Sequence, residues 1–443
     1  MNPGVLAGII VFFVGIIAGV PLAWVFLGSS VVSCFILGNS LTFMAGTIYH
    51  TVLNYILMAV GFFILAGNLM AQAGLAQRFT RFAYALVGRI KGGLVDVGIL
   101  ASVFLGALTG SSVPCIAALV PLLVPQLEKY GYDKSYTTAV LCSSSFLGYL
   151  IPPSVPVLFY CLIAQQSVAA LFLSTIIPGL LLAFGYMVLN TFLCGRYMKP
   201  SSEMPMLPQT ARETIKEIAV SGWSALPALG CPLIVLGGIY GGICTPNEAG
   251  AFAVIYTIIV GLFVYREMTF KDMLPVFKNT ALAMGMIIFL MAFGMIFTRI
   301  LVREGVAQSL ASLALGLFHS KILILMILNV LLLLMGMFID GLPIMVVAVP
   351  LLLPLVKELD INLVHLGAIV IVNVGLGVVT PPYAMSIFVG SKLADVPYDA
   401  LVKPMLYFFF LVGVPVLLLT TYIPALSCWL PTVVLGSKIV GPW

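Results

Sequence analysis

Apolar residues run along this chain in long unbroken stretches and do not alternate every second position, so the pattern predicts spanning helices and not a barrel. No Asp, Glu, Lys or Arg occurs in residues 1–77, 135–195 or 404–437. A helix needs about 20 apolar residues to cross a bilayer, so each stretch holds several passes. Residues 1–38 lack the initial basic cluster of a cleavable signal and make one long span or two short ones, with repeat symmetry favouring two. Composition narrows the class further. Of 443 residues, 62% are hydrophobic and 8% charged, with a mean hydropathy of +1.19. Soluble domains are nearer a quarter charged, so neither a water-soluble nor a disordered chain fits. The net charge of +5 is scattered and forms no basic face, which excludes a nucleic-acid partner.

An internal duplication is written into the spacing of helix breakers. Pro114, Pro121, Pro125, Gly148, Pro152 and Pro153 each have an identical residue 229 positions later, at Pro343, Pro350, Pro354, Gly377, Pro381 and Pro382. Gly74-Leu75-Ala76-Gln77 returns as Gly305-Val306-Ala307-Gln308 in nearly the same frame. The halves are roughly residues 1–195 and 218–443, joined by a hydrophilic linker at 196–217. Arg78, Arg81, Arg89 and Lys91 put the first inter-helix region in the cytoplasm, whereas its repeat equivalent holds only His319 and Lys321. Equivalent loops of unequal basicity predict an inverted repeat. Stretches 74–92 and 304–321 mix small, apolar and polar residues and predict arm helices along the membrane surface.

After each arm comes an apolar stretch broken in its middle, at Thr109-Gly110-Ser111-Ser112-Val113-Pro114 and at Asp340-Gly341-Leu342-Pro343. Proline lacks the donor and disfavours helix before it, and the flanking arms are short for a span, which predicts two re-entrant helical hairpins. A second break follows in each half. It runs from Cys142-Ser143-Ser144-Ser145 through Gly148 to Pro152-Pro153-Ser154, and from Asn373 through Gly375 and Gly377 to Thr380-Pro381-Pro382. Here a spanning helix is expected to unwind, which lipid tolerates only around a protein-enclosed polar site. Carbonyls with Ser, Thr, Asn and Asp oxygens are hard ligands that suit Na⁺. Helix N-termini at the breaks suit an anionic group.

The predicted sites follow. Ser111, Ser112, Ser144 and Gly148 form one Na⁺ site, and Asp340, Gly341, Asn373, Gly377 and Thr380 a second. Substrate contacts Thr109, Gly110, Ser143, Ser145, Pro152, Pro153, Ser154, Pro381 and Pro382. Asp340 is the only carboxylate in its apolar stretch, and its counterpart is Ser111. In Thr245-Pro246-Asn247-Glu248, capping and ligand contact are equally open. Eight cysteines without a CxxC pair and three dispersed histidines predict buried thiols and no metal cluster. Without HExxH, GxSxG or GxxxxGK[ST], neither an intramembrane enzyme nor an ATPase is expected.

These motifs carry a resemblance. GFFILAGNLMA at 61–71, GYLIPPSVP at 148–156, TPNEAGA at 245–251, YREMT at 265–269, GMFIDGLPIMVVAVPLLLP at 336–354 and Thr380-Pro381-Pro382 resemble, in order and spacing, the DctM-type large membrane subunit of tripartite ATP-independent periplasmic (TRAP) transporters. The resemblance implies an all-α polytopic protein of the bacterial inner membrane, an elevator-type inverted repeat with two hairpins and two unwound helices. It implies Na⁺-driven import of a small organic anion, a carboxylate or sulfonate such as a C4-dicarboxylate or sialic acid. Two partners are implied besides membrane lipid: a small four-helix membrane subunit (Q type), expected as a separate chain, and a periplasmic substrate-binding protein (P type). Departures from the family pattern fall at Pro114 and Cys115, at Asn68 where an acid is common, and at Ala384 where glycine is common.

The expected organisation is scaffold helices at 1–73 and 218–303, arms at 74–92 and 304–321, and transport-domain hairpins with broken helices at 93–166 and 322–391. Closing membrane segments lie at 167–195 and 392–443, with the cytoplasmic linker at 196–217. The competing reading is an autonomous Na⁺:anion symporter of related hairpin architecture that needs no binding protein. A channel is disfavoured by the paired breaks.

Overall fold

The computed structural model describes residues 2–90, 92–199, 211–318, 320–339, 341–382 and 384–443. Among them every regular element is a helix, in the order α1 Pro3–Ile17, α2 Leu22–Leu37, α3 Leu41–Val52, α4 Tyr55–Gln72, α5 Leu75–Val87, α6 Gly93–Thr109, α7 Ser112–Lys129, α8 Lys134–Ser144, α9 Leu147–Leu150, α10 Val155–Ala164 and α11 Val168–Leu193. The second half continues with α12 Ala211–Tyr240, α13 Pro246–Ile259, α14 Phe270–Arg303, α15 Val306–Leu317, α16 Lys321–Phe338, α17 Gly341–Glu358, α18 Leu363–Val378, α19 Met385–Ala394, α20 Tyr398–Phe408, α21 Val414–Tyr422, α22 Ala425–Leu435 and α23 Ser437–Val440. Nine helices of the described residues are long and apolar enough to cross a membrane. The described part of the first 38 residues makes two short helices, α1 and α2, packed on each other and on α14. α12 begins at Ala211, inside the stretch expected as linker; residues 201–210 lie outside the described residues.

Local chemistry sets many of the helix starts. Asp133 caps α8 by accepting from the Tyr136 N–H at 2.8 Å, and Asn362 caps α18 by accepting from Val364 N–H at 2.8 Å. Thr245 and Glu248 form a reciprocal capping box at α13, which resolves their role as a cap.

Two groups of helices result. α1–α4 and α12–α14 pack on one another as an outer group, with apolar residues such as Trp24, Leu274 and Met286 exposed. A central group contains α6–α11 and α16–α22, and its interior is closed: every residue of α10, and of α18 from Val364 to Val378, is buried. Between the groups Thr298 Oγ1 of α14 donates to the Val346 carbonyl of α17 at 2.9 Å.

The central group is a two-fold arrangement. α10 of the first half packs on α17 of the second, and α19 of the second packs on the equivalent α7 of the first. Phe146 and Gly375 are equivalent positions, 229 apart, and they touch: a Cβ at Gly375 would lie 2.5 Å from Phe146 Cδ2. Contact between a residue and its own repeat counterpart marks where the axis passes.

Candidate functional site

Both predicted hairpin breaks exist. α6 ends at Thr109 and α7 starts at Ser112; α16 ends at Phe338 and α17 starts at Gly341. Gly110 takes the left-handed conformation (φ 57°) that glycine adopts without strain, and its carbonyl accepts from the Val155 N–H at 3.4 Å. That bond brings the first hairpin tip to the second break, which bends the helix by 42° between Lys134–Leu150 and Val155–Ala164. Ser111, Ser112, Gly148, Pro153 and Ser154 converge there. Ser112 Oγ and Tyr149 Oη lie 3.2 Å apart, and Ser154 Oγ donates to the Tyr149 carbonyl at 2.6 Å while capping α10.

Close backbone contact underlies both breaks. A Cβ on Gly106 would lie 2.4 Å from Gly148 Cα, and one on Gly336 would lie 2.7 Å from Gly377 Cα. Each pair clamps the hairpin's first arm to the broken helix, a contact that only glycine permits. Gly106 and Gly336 were missing from the predicted sites, although both border the repeated breaks. Tyr149, Ser102 and Asn329 were missing as well, and the sequence carries no local signal for their contacts.

The unwound stretches are shorter than expected. α8 runs through Cys142, Ser143 and Ser144, and α18 runs through Asn373, Gly375 and Gly377 to Val378. Besides the short turn at Ser145-Phe146, Ile151–Ser154 and the described residues 379–382 and 384 leave the helix, because prolines interrupt the ladder and buried glycines need not. Most of the 142–148 and 373–378 carbonyls are therefore spent within helices, and side-chain oxygens become the main donors there.

Equivalent positions Ser144 and Asn373 both reach across to the first hairpin arm. Ser144 Oγ lies 3.2 Å from Ser102 Oγ, and Asn373 Nδ2 donates to Asn329 Oδ1 at 2.8 Å. Asn329 Nδ2 donates in turn to Thr421 Oγ1 at 2.9 Å, tying in α21. Asn373 Oδ1 and Ser143 Oγ are buried without a partner, as orphaned oxygens that suit a hard cation or water. Other predicted residues are internally satisfied: Ser145 Oγ donates to the Cys142 carbonyl, Thr380 Oγ1 to the Leu376 carbonyl and Thr109 Oγ1 to those of Leu105 and Ser111. Gly341 packs on Val374. Pro152 and Pro153 are buried, Pro381 is half-buried, and Pro382 is exposed with its carbonyl accepting from Tyr398 Oη at 2.7 Å. Asp340 lies outside the described residues. Among the described residues no group of His, Cys, Asp and Glu could hold a metal.

Residues 9–426 match the family described as "Tripartite ATP-independent periplasmic transporter, DctM component". The chain is 35% identical to a C4-dicarboxylate TRAP transporter large permease protein of Pseudomonas aeruginosa, over 89% of this chain and 90% of that one. It is also 35% identical to an isethionate TRAP transporter permease of Oleidesulfovibrio alaskensis, over 94% of this chain and 64% of that one. The fold is similar to the crystal structure of the Alcanivorax borkumensis YdaH transporter, with a TM-score of 0.60 at 14% identity, covering 85% of this chain and 86% of that one. With its apolar helices, paired breaks and matches over nearly the whole length, the chain belongs to the DctM family of TRAP transporter large permeases, multi-pass proteins of the inner membrane that are not enzymes.

Proposed function

We propose that the protein is the large permease of a Na⁺-coupled, binding-protein-dependent importer of a small organic anion, working by an elevator motion. What carries the reading is the pair of hairpin breaks, each clamped to a broken helix through a glycine–glycine contact inside a buried two-fold core. In this reading α6–α7 and α16–α17 are re-entrant hairpins of an inverted repeat. The central group moves as the transport domain against the outer scaffold. Hydroxyls of Ser111, Ser112 and Ser144 with Gly148 hold one Na⁺; Asp340, Gly341, Asn373, Gly377 and Thr380 hold the other. The orphaned Asn373 oxygen supports an ion on the second side. Substrate lies between the tips, near Thr109, Gly110, Ser143, Ser145, Pro152, Pro153, Ser154, Pro381 and Pro382, with its negative group toward the helix N-termini. The relatives' substrates argue for a carboxylate or sulfonate, such as a C4-dicarboxylate. A small membrane subunit and a periplasmic binding protein complete the system.

Reconstitution in proteoliposomes with both partners tests this. Uptake, screened with succinate, sialic acid and isethionate, is expected to need an inward Na⁺ gradient and the binding protein. Asp340→Asn is expected to weaken Na⁺ dependence by about tenfold or more, the scale of one lost charge-assisted contact. Na⁺-independent uptake would discard the coupling. Uptake without the binding protein would restore the autonomous symporter, which membership in the family disfavours.

A further inference from the structure

The loop between α7 and α8 is stitched to the segment that follows α11. Tyr132 bridges to Met198, the Asp133 N–H donates to the Tyr197 carbonyl at 2.8 Å, and the Lys199 N–H donates to the Gly131 carbonyl at 2.8 Å. The Tyr136 and Tyr197 rings stack with centroids 4.4 Å apart. Beside this seam is a polar cavity of 390 Å³ whose charged lining is Glu128, Asp133, Lys134, Arg196 and Lys199. Two candidate spans, Ser112–Lys129 and Val168–Arg196, end at its wall, which puts it at the level of lipid headgroups. Buried Tyr132 lines it too, and burial pushes that hydroxyl up to about 12, so it stays neutral.

The charges do not neutralise one another. Among the described residues the salt bridges are Arg78–Glu267 and Arg81–Glu217, and none joins these five side chains. The Asp133 carboxylate is engaged, among the described residues, only in capping α8. The repeat-equivalent loop is partly filled by the protein itself: Asn362 Nδ2 donates to the Val440 and Pro442 carbonyls at 2.7 and 2.9 Å, Lys321 Nζ donates to the Asp360 carbonyl at 3.4 Å, and the cavity there is smaller, 210 Å³. Its lining holds one lysine and one aspartate, against the five charged side chains of the larger cavity. Three cations and two carboxylates around one space match a ligand that carries both signs. Basic pockets between helix ends are also where phospholipid headgroups bind.

We propose that this cavity binds the phosphoethanolamine headgroup of a membrane phospholipid. The phosphate lies against Lys134, Arg196 and Lys199, and the ammonium against Glu128 and Asp133. A headgroup seated there ties the base of the first hairpin to α11, independently of what the permease carries. The test titrates delipidated protein in detergent with dioleoyl phosphatidylethanolamine, phosphatidylglycerol and phosphatidylcholine, and separately with inorganic phosphate. Binding is read by native mass spectrometry and by thermal midpoint. The ethanolamine lipid is expected to bind about tenfold tighter than the choline lipid, the worth of one charged hydrogen bond that choline cannot make. Glu128→Gln should erase that preference. Joint Arg196→Gln and Lys199→Gln should weaken all three lipids by about tenfold or more, while Lys278→Gln on α14 should change nothing. Glu128, Arg196 and Lys199 are exposed, so the variants are expected to fold, and their lipid-free midpoints check it. Equal binding of the three lipids overturns the proposal, as does an ethanolamine preference that survives Glu128→Gln. Tighter binding of the glycerol lipid makes it an anion site and also overturns it. A midpoint shift with inorganic phosphate as large as with lipid does the same, assigning a free anion.

Discussion

At the first break the polar groups are hydroxyls, Ser112 against Tyr149 and Ser144 against Ser102; at the second they are amides, Asn373 against Asn329 and on to Thr421. The backbone frame beneath them is the same, a glycine of the hairpin arm pressed on a glycine of the broken helix. Duplication has preserved the geometry that brings two chain interruptions together and released the side chains that face the space between them. Frame and chemistry are thus separable, and each can be perturbed alone.

The largest effect is expected from the frame. Gly106→Ala and Gly336→Ala each push a methyl into opposing backbone and should cost about 1–3 kcal/mol or more, seen as a lower thermal midpoint and lost uptake. The two should be alike in size, and a tolerant Gly336→Ala would show that the halves do not share the contact. Next come the side chains. Asn373→Leu strands the Asn329 oxygen and should cost about 1–2 kcal/mol, whereas Ser144→Ala should cost about 0.6 kcal/mol, close to the mean for polar contacts in membranes. A reversed ranking in thermal midpoints would mean that the amide chain is slack. The smallest effect belongs to α5 and α15. α5 is pinned by Arg78–Glu267 at 2.7 Å, with the Arg78 guanidinium 3.8 Å over the Tyr265 ring, while α15 buries only Ala307 and Ala311. Arg78→Gln should cost about 1 kcal/mol or less in thermal midpoint, and a larger loss would make α5 a structural keystone.

Much of this was legible in the sequence because prolines, glycines and missing charges act locally. They located the duplication and the hairpin breaks at Gly110 and before Gly341, while the longer motif strings carried the family. What stayed hidden depends on tertiary neighbours. Glycines at 375 and 377 suggested unwinding, yet inside a protein-lined core the helix continues to Val378, since packing against Phe146 and Gly336 favours it. Asn373 pointed to an ion, but its amide is held by Asn329, forty-four residues away, and only its oxygen is open. Tyr149 has no polar counterpart in the second half, where Val378 stands, so repeat comparison could not raise it.

Phe146 on Gly375 has a historical implication. Were the two halves unlinked copies of one gene product, this position would present the same residue twice at a self-facing point. Two phenyl rings would collide there, and two hydrogens would leave a hole. A bulky–small match becomes available only once the two copies are separate sequences that can mutate apart. The interlock at the centre of the permease therefore follows the duplication that made it possible.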